Sequence, residues 1–122
     1  MKRYILIPDS FKGTMTSAEI CAILREELLA AQPEAEVVSI PVADGGEGSV
    51  DAFLAALGGE KVACPCHGPY MEEMTGFYGL LPGGDTAVVE MAAAAGLPLV
   101  GENRHADRTT TYGVGELIAH AA

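Results

Sequence analysis

Two short polar stretches hold most of the side chains in this sequence that can do chemistry. The first, "PDSFKG" at residues 8–13, sets Asp9, Ser10 and Lys12 close together and follows them with Gly13. Lysine brings a compact positive charge to an anionic oxygen, aspartate holds a hydroxyl or a metal-bound water, and serine donates or accepts. The second, "ADGGEGS" at residues 43–49, places Asp44 and Glu47 among Gly45, Gly46 and Gly48. Glycines permit positive φ and close backbone approach, so successive N–H groups can point at one anion where a helix begins. Two carboxylates in such a loop suit sugar-like hydroxyls, or Mg²⁺ accompanying a nucleotide, better than a bare phosphate. Asp44 can take a proton from a hydroxyl as a general base. Glu47 either joins that site or only favours the positive end of the helix, an effect of about 0.3–1 kcal/mol. The loop matches neither G-x-x-x-x-G-K-[ST] nor a complete G-x-G-x-x-G.

A third stretch, "RTTTYGVGELI" at residues 108–118, presents Thr109, Thr110 and Thr111 with Gly113 and Gly115 before a helical pattern. Its hydroxyls and free N–H groups suit an anion, and capping accounts for at least one of the threonines. Glu90 closes the apolar run "TAVVE"; a buried carboxylate needs a partner, so it reaches a cleft or pairs with an arginine. "CPCH" at residues 64–67 does not read as a metal site. Cys64 and Cys66 share one face of a strand with Pro65 between them and no second pair elsewhere, which describes buried thiols. His105 and His120 are isolated, and no metal ligands are assigned.

The elements that must position these groups alternate. "RYILIP" is a buried strand at residues 3–7, and "TSAEICAILREELLAAQP" is a helix with Ile20, Ile23, Leu24 and Leu28 at helical spacing and Thr16 and Glu19 in capping-box positions. "AEVVSIP" is a second strand, and "EGSVDAFLAALGG" a second helix with Val50, Phe53, Leu54 and Leu57 on one face and Gly58 at its C-terminal cap. Such alternation predicts a parallel sheet with its functional edge at the carboxyl ends of the strands, where both polar loops lie. From residue 60 the pattern changes to short strands, "EKVACPC", "MTGFYGLL" and "TAVVEMA", with a "PGGD" turn between the last two. The expected fold is α/β: a Rossmann-like parallel-sheet segment over residues 1–59, then the start of a second, strand-rich α/β domain over residues 60–122. A loop, "ENRHADRTTTYGVG", leads into the helix "GELIAHAA", which is so short that the chain reads as cut rather than finished.

A net charge of −10, from 17 acidic against 7 basic residues without a basic cluster, argues against a nucleic-acid partner. The apolar stretch before Pro8 is too short for a signal sequence or a membrane span, so a cytoplasmic protein with no membrane partner is expected. Three cysteines make an odd count, consistent with reduced thiols.

Taken in order, "PDSFKGTMTSAE", "PVADGGEGSVDAF", "GPYMEEMTGFYGLLPGGDTAVVEMAAAAGL" and "TTTYGVGELI" resemble the N-terminal third of the bacterial-type glycerate kinases. The resemblance implies phosphoryl transfer from ATP to D-glycerate, with Mg²⁺, in a two-domain α/β protein whose site lies in an interdomain cleft. It further implies that Asp44, Asp9 and Lys12 are catalytic. Ser10, Gly45, Gly46, Glu47, Gly48, Glu90, Thr110, Thr111 and Gly113 would bind substrate or phosphate. On this reading the 122 residues are a fragment, by itself inactive. The alternative from another class is a non-catalytic module that holds a small anion in the same loops.

Overall fold

The computed structural model describes residues 1–102 and 104–122. Asn103, part of the loop expected at residues 102–115, lies outside the described residues. The chain gathers into two compact units, Met1–Asp44 and Gly45–Ala122.

The first unit is a strand–helix–strand. β1 (Arg3–Leu6) and β2 (Glu36–Ser39) pair in parallel, Arg3 opposite Glu36 and Leu6 opposite Ser39, with α1 (Ser17–Ala31) connecting them. Thr16 caps α1 as its sequence requires. Its hydroxyl accepts the Glu19 N–H at 3.2 Å while the Glu19 carboxylate accepts the Thr16 N–H at 2.7 Å. Those hydrogen bonds, first from the Thr16 N–H and then from its hydroxyl, hold the Glu19 carboxyl below its ordinary pKa. The expectation of a buried first strand is not met. Ile5 is 58% exposed, and of the α1 stripe Ile20 is buried while Ile23 is 50% exposed. A two-stranded sheet with one helix has few groups to cover both faces of its apolar residues.

The second unit is a three-stranded antiparallel sheet, β3 (Glu60–His67), β4 (Glu73–Leu80) and the short β5 (Ala87–Val88), in that order. Cys64 stands opposite Gly76 and Cys66 opposite Met74, so alternation puts Cys64, Cys66, Gly76 and Tyr78 on one face. Leu117 of α5 (Tyr112–Ala121), and Ala93 and Ala94 of the one-turn α3 (Ala92–Ala95), join Cys64, Cys66 and Tyr78 in the core. On the opposite face, Val50 and Leu54 of α2 (Ser49–Leu57) meet Gly79, where a Cβ would stand 3.1 Å from Val50 and 3.3 Å from Leu54. Gly58 ends α2 with φ 78°, as expected. Phe53 and Leu57, expected on the packed face, are exposed. Two turns were not foreseen: α4 (Leu97–Val100), directly after α3, and a 3₁₀ turn at Ala106–Arg108.

All three cysteines are free, in keeping with their odd number, and buried, as expected from the sequence for Cys64 and Cys66. Burial pushes the thiols of Cys64 and Cys66 above their ordinary pKa, with Glu116 adding to the effect at both. Among the described residues, no helix is long and apolar enough to cross a membrane.

Candidate functional site

Parallel pairing in register ends β1 and β2 side by side, and the Ile40 N–H continues the ladder to the Leu6 carbonyl at 2.8 Å. Both polar segments of the first unit therefore leave one edge of the sheet. A side chain absent from the sequence expectations ties them together. The Ser17 hydroxyl, buried at the first turn of α1, donates to the Pro8 carbonyl at 2.6 Å and accepts the Val42 N–H at 3.0 Å. Pro8 immediately precedes Asp9, and Val42 lies two residues before Asp44.

Beyond Pro8 the chain makes a tight turn. The Phe11 N–H donates to Met15 at 2.9 Å, the Met15 N–H returns to Phe11 at 3.1 Å, and Gly13 at the apex takes φ 73°. That left-handed position suits glycine, and it leaves Lys12 on the exposed rim of the turn. Asp9 is exposed and accepts the Ser10 N–H at 2.7 Å, a local bond that fixes its carboxylate. Asp44 is exposed at the end of the second segment.

In the second unit, Gly45 and Gly48 take φ 99° and 89°. The Ser49 hydroxyl and N–H both donate to the Gly46 carbonyl, at 2.7 and 3.2 Å, and close the turn onto α2. Glu47 is exposed and lies outside the helix. Gly48 is the N-cap and has no side chain to offer; Glu90 supplies the acceptor instead. Its carboxylate accepts the Val50 N–H at 2.9 Å and the Gly48 N–H at 3.4 Å, and the residue is 4% exposed. Both oxygens face backbone, so Glu90 meets this region as a support for the turn.

The threonine stretch is also taken up internally in part. Thr110 donates its N–H to the Pro69 carbonyl at 2.8 Å, and its hydroxyl accepts the Tyr112 N–H at 3.1 Å in a local turn; the N-cap itself, Thr111, makes no side-chain capping bond, so the expected capping is not seen there. Thr111 is exposed. Gly113 is buried within α5, where a Cβ would fall 1.7 Å from the His67 carbonyl oxygen. The helix begins at Tyr112 rather than at Gly115, and Gly113 allows its first turn to lie directly against β3.

Sequence reasoning passed over a further pair. Glu116 accepts the His67 N–H at 2.7 Å and stands 3.0 Å from His67 Nδ1, and the Tyr112 ring packs edge-on to the imidazole at 5.8 Å. The pair lines an open cleft of about 500 Å³ with Cys66, Glu73 and Thr75. The signal was the i, i+4 spacing of Tyr112 and Glu116 on the face of α5 that meets the end of β3. No group of three His, Cys, Asp or Glu side chains among the described residues could hold a metal ion.

Comparison with known proteins follows the same course. The model of the glycerate kinase family matches residues 4–122. A glycerate kinase of Haemophilus influenzae is 40% identical over 95% of this chain and 31% of its own length. The glycerate 2-kinase of Escherichia coli K12 is 40% identical over 98% of this chain and 32% of its own. A crystal structure of a proposed glycerate kinase 2 from Salmonella typhimurium LT2 superposes with a TM-score of 0.75 at 36% identity, over 98% of this chain and 32% of that one. The chain thus spans about a third of the length of the curated relatives it matches.

Proposed function

The chain belongs to the glycerate kinase family, and from that premise we propose that the whole protein transfers a phosphoryl group from ATP to D-glycerate, giving a phosphoglycerate. The observation that carries the reading is the family match over residues 4–122, and the Ser17 hydroxyl, which bonds the residue before Asp9 and the segment leading to Asp44, supports it. Such a clip is what a site needs when two loops must present groups at fixed positions.

Phosphoryl transfer asks mainly for positioning and for charge stabilisation. Lys12 supplies a point charge to an anionic oxygen of glycerate or of the transferred phosphoryl group. Asp44 accepts the proton of the glycerate hydroxyl. Asp9, one of whose oxygens is held by Ser10 N–H, orients that hydroxyl, and Ser10 adds a donor. From the family resemblance alone, the Gly45 and Gly46 backbone, which allows close approach of an anionic oxygen, and the exposed Glu47 and Thr111 are proposed to meet substrate or phosphate in the whole protein. Thr110, Gly113 and Glu90 have a supporting role in this proposal, each through the bonds and contacts it makes within the second unit.

Mg²⁺ brought by a nucleotide needs only one or two protein carboxylates besides the phosphates and water, and Asp9 and Asp44 are hard oxygen donors of that kind. The ion would neutralise charge on the phosphate oxygens. We further propose that the domains of the whole protein divide near Gly59, and that the protein is cytoplasmic, a location consistent with three free thiols.

The test is ADP formation by the complete protein with and without D-glycerate. ADP release that requires D-glycerate supports the reading; its absence at any D-glycerate concentration refutes it. Phosphorus NMR of the product then distinguishes the 2-phosphate from the 3-phosphate.

A further inference from the structure

We propose that Glu90 is a positioning residue: a buried anion supplied by the protein itself to the first turn of α2, which holds the Gly45–Gly48 turn in its working geometry. The functional half of this proposal rests on the kinase reading above; the structural half rests on geometry alone.

The first N–H groups of any helix lack intrahelical acceptors, and a side chain at the N-cap usually provides one. At α2 the N-cap is Gly48, with φ 89°, so nothing local can do so. Glu90 comes from 40 residues away in sequence to accept the Val50 N–H at 2.9 Å and the Gly48 N–H at 3.4 Å. A carboxylate that is 4% exposed is costly unless it is hydrogen-bonded and faces positive potential, and the start of a helix offers both. Its own backbone is anchored as well. Ala93 and Ala94, just beyond it, are buried, and Ala94 lies where a Cβ on Gly113 would be 3.2 Å away. Residues 90–94 therefore run from the start of α2 to the start of α5, and the buried alanines hold the backbone from which the carboxylate reaches α2.

This arrangement has a consequence for substrate. The negative charge that α2 attracts is already in place, so a substrate anion is not drawn to the N–H groups of Gly48 and Val50. It is left to the preceding glycines, Gly45 and Gly46, whose conformation depends on where α2 starts. Glu90 then acts on turnover through the turn, without touching substrate.

Hydrogen exchange and kinetics of the complete protein test this with Glu90→Ala and Glu90→Gln. Loss of the acceptor should speed exchange of amides 45–54 at least about tenfold, the factor expected when one charged hydrogen bond is removed. Amides 62–66 and 75–79, in the β3–β4 ladder, should keep wild-type rates. Turnover should fall by about tenfold or more while the Michaelis constants move less, because the loss is one of geometry in the reacting complex. Glu90→Gln keeps one acceptor oxygen and should lie between wild type and Glu90→Ala in both readouts; it also serves where the alanine variant does not fold. Unchanged exchange at 45–54 in a folded variant overturns the proposal, and so does normal turnover despite faster exchange. Where the wild-type protein shows no D-glycerate-dependent turnover, the kinase reading fails and exchange alone decides: acceleration confined to 45–54 upholds the support role, and wild-type rates overturn it.

Discussion

Gly113 and Gly115 sit two residues apart in α5, and the same substitution should have opposite effects on them. At Gly113 an added Cβ would lie 1.7 Å from the His67 carbonyl oxygen, 2.9 Å from its carbon and 3.2 Å from Ala94 Cβ. The first two are backbone atoms of a paired strand and cannot swing aside. Contact distance for carbon and oxygen is about twice that spacing, so α5 must move away from β3 by more than an ångström. That shift pulls on Leu117, which is fully buried, and on the Glu116 to His67 bonds at 2.7 and 3.0 Å. Overpacking of this kind costs about 1–3 kcal/mol and at times more, against a gain of at most about 1 kcal/mol from replacing a helical glycine by alanine. A net loss of about 2 kcal/mol corresponds to roughly 25-fold faster exchange of the α5 amides. Gly115→Ala meets nothing within 4 Å and should leave exchange unchanged or slow it by up to about fivefold. Exchange mass spectrometry on the peptide covering residues 113–121 reads both. The same direction of change in the two variants would refute the close approach of α5 to His67.

Ser17→Ala removes a donor to Pro8 and an acceptor for Val42; with about 1–3 kcal/mol at stake for a buried group left unpaired, it should lower the thermal midpoint and turnover, while Ser17→Thr keeps the hydroxyl and retains more of both. Equal loss in the two variants would mean the hydroxyl is not what matters. Lys12→Ala should reduce kcat/KM for D-glycerate or ATP by the equivalent of about 1.5–3 kcal/mol, and unchanged values for both substrates would remove Lys12 from the site. Cys21, Cys64 and Cys66 are all buried, and burial raises the thiol pKa of the last two; a disulfide reagent near pH 8 should react slowly with these three until the protein is unfolded, and rapid modification of any of them under native conditions would contradict the packing. Glu47→Gln should change the thermal midpoint by less than about 0.5 kcal/mol equivalent, because Glu90 already serves the α2 terminus; a larger drop would give that role back to Glu47.

What the sequence made legible is what local physics decides. Thr16 and Glu19 announce α1 because the capping box is complete within four residues, and the bonds form as written. The alternation that put Cys64 and Cys66 on one strand face holds because a strand has a period of two and its register leaves no choice. The burial of β1 and of the α1 stripe was misjudged for a different reason: apolarity states what a residue favours, whereas exposure depends on how many elements are present to cover it. Ile5 and Ile23 are as apolar as expected and still half exposed.

The site was harder to read because its supports lie far from its loops in sequence. Ser17 looks like an ordinary residue of a helix start until Pro8 and Val42 are seen on either side of its hydroxyl. Glu47 was the obvious carboxylate for the positive end of α2, being one residue from its cap, yet a carboxylate exposed to water gains little there. Glu90 gains more from the same helix end because it is buried, and for that reason it also loses more if the helix start moves. Sequence proximity therefore pointed to Glu47, whereas the carboxylate hydrogen-bonded to the helix start is the buried Glu90. The apolar run "TAVVE" held the only sign of this: an acidic residue that closes such a run has to find its partner somewhere, and here the partner is backbone on a helix 40 residues upstream.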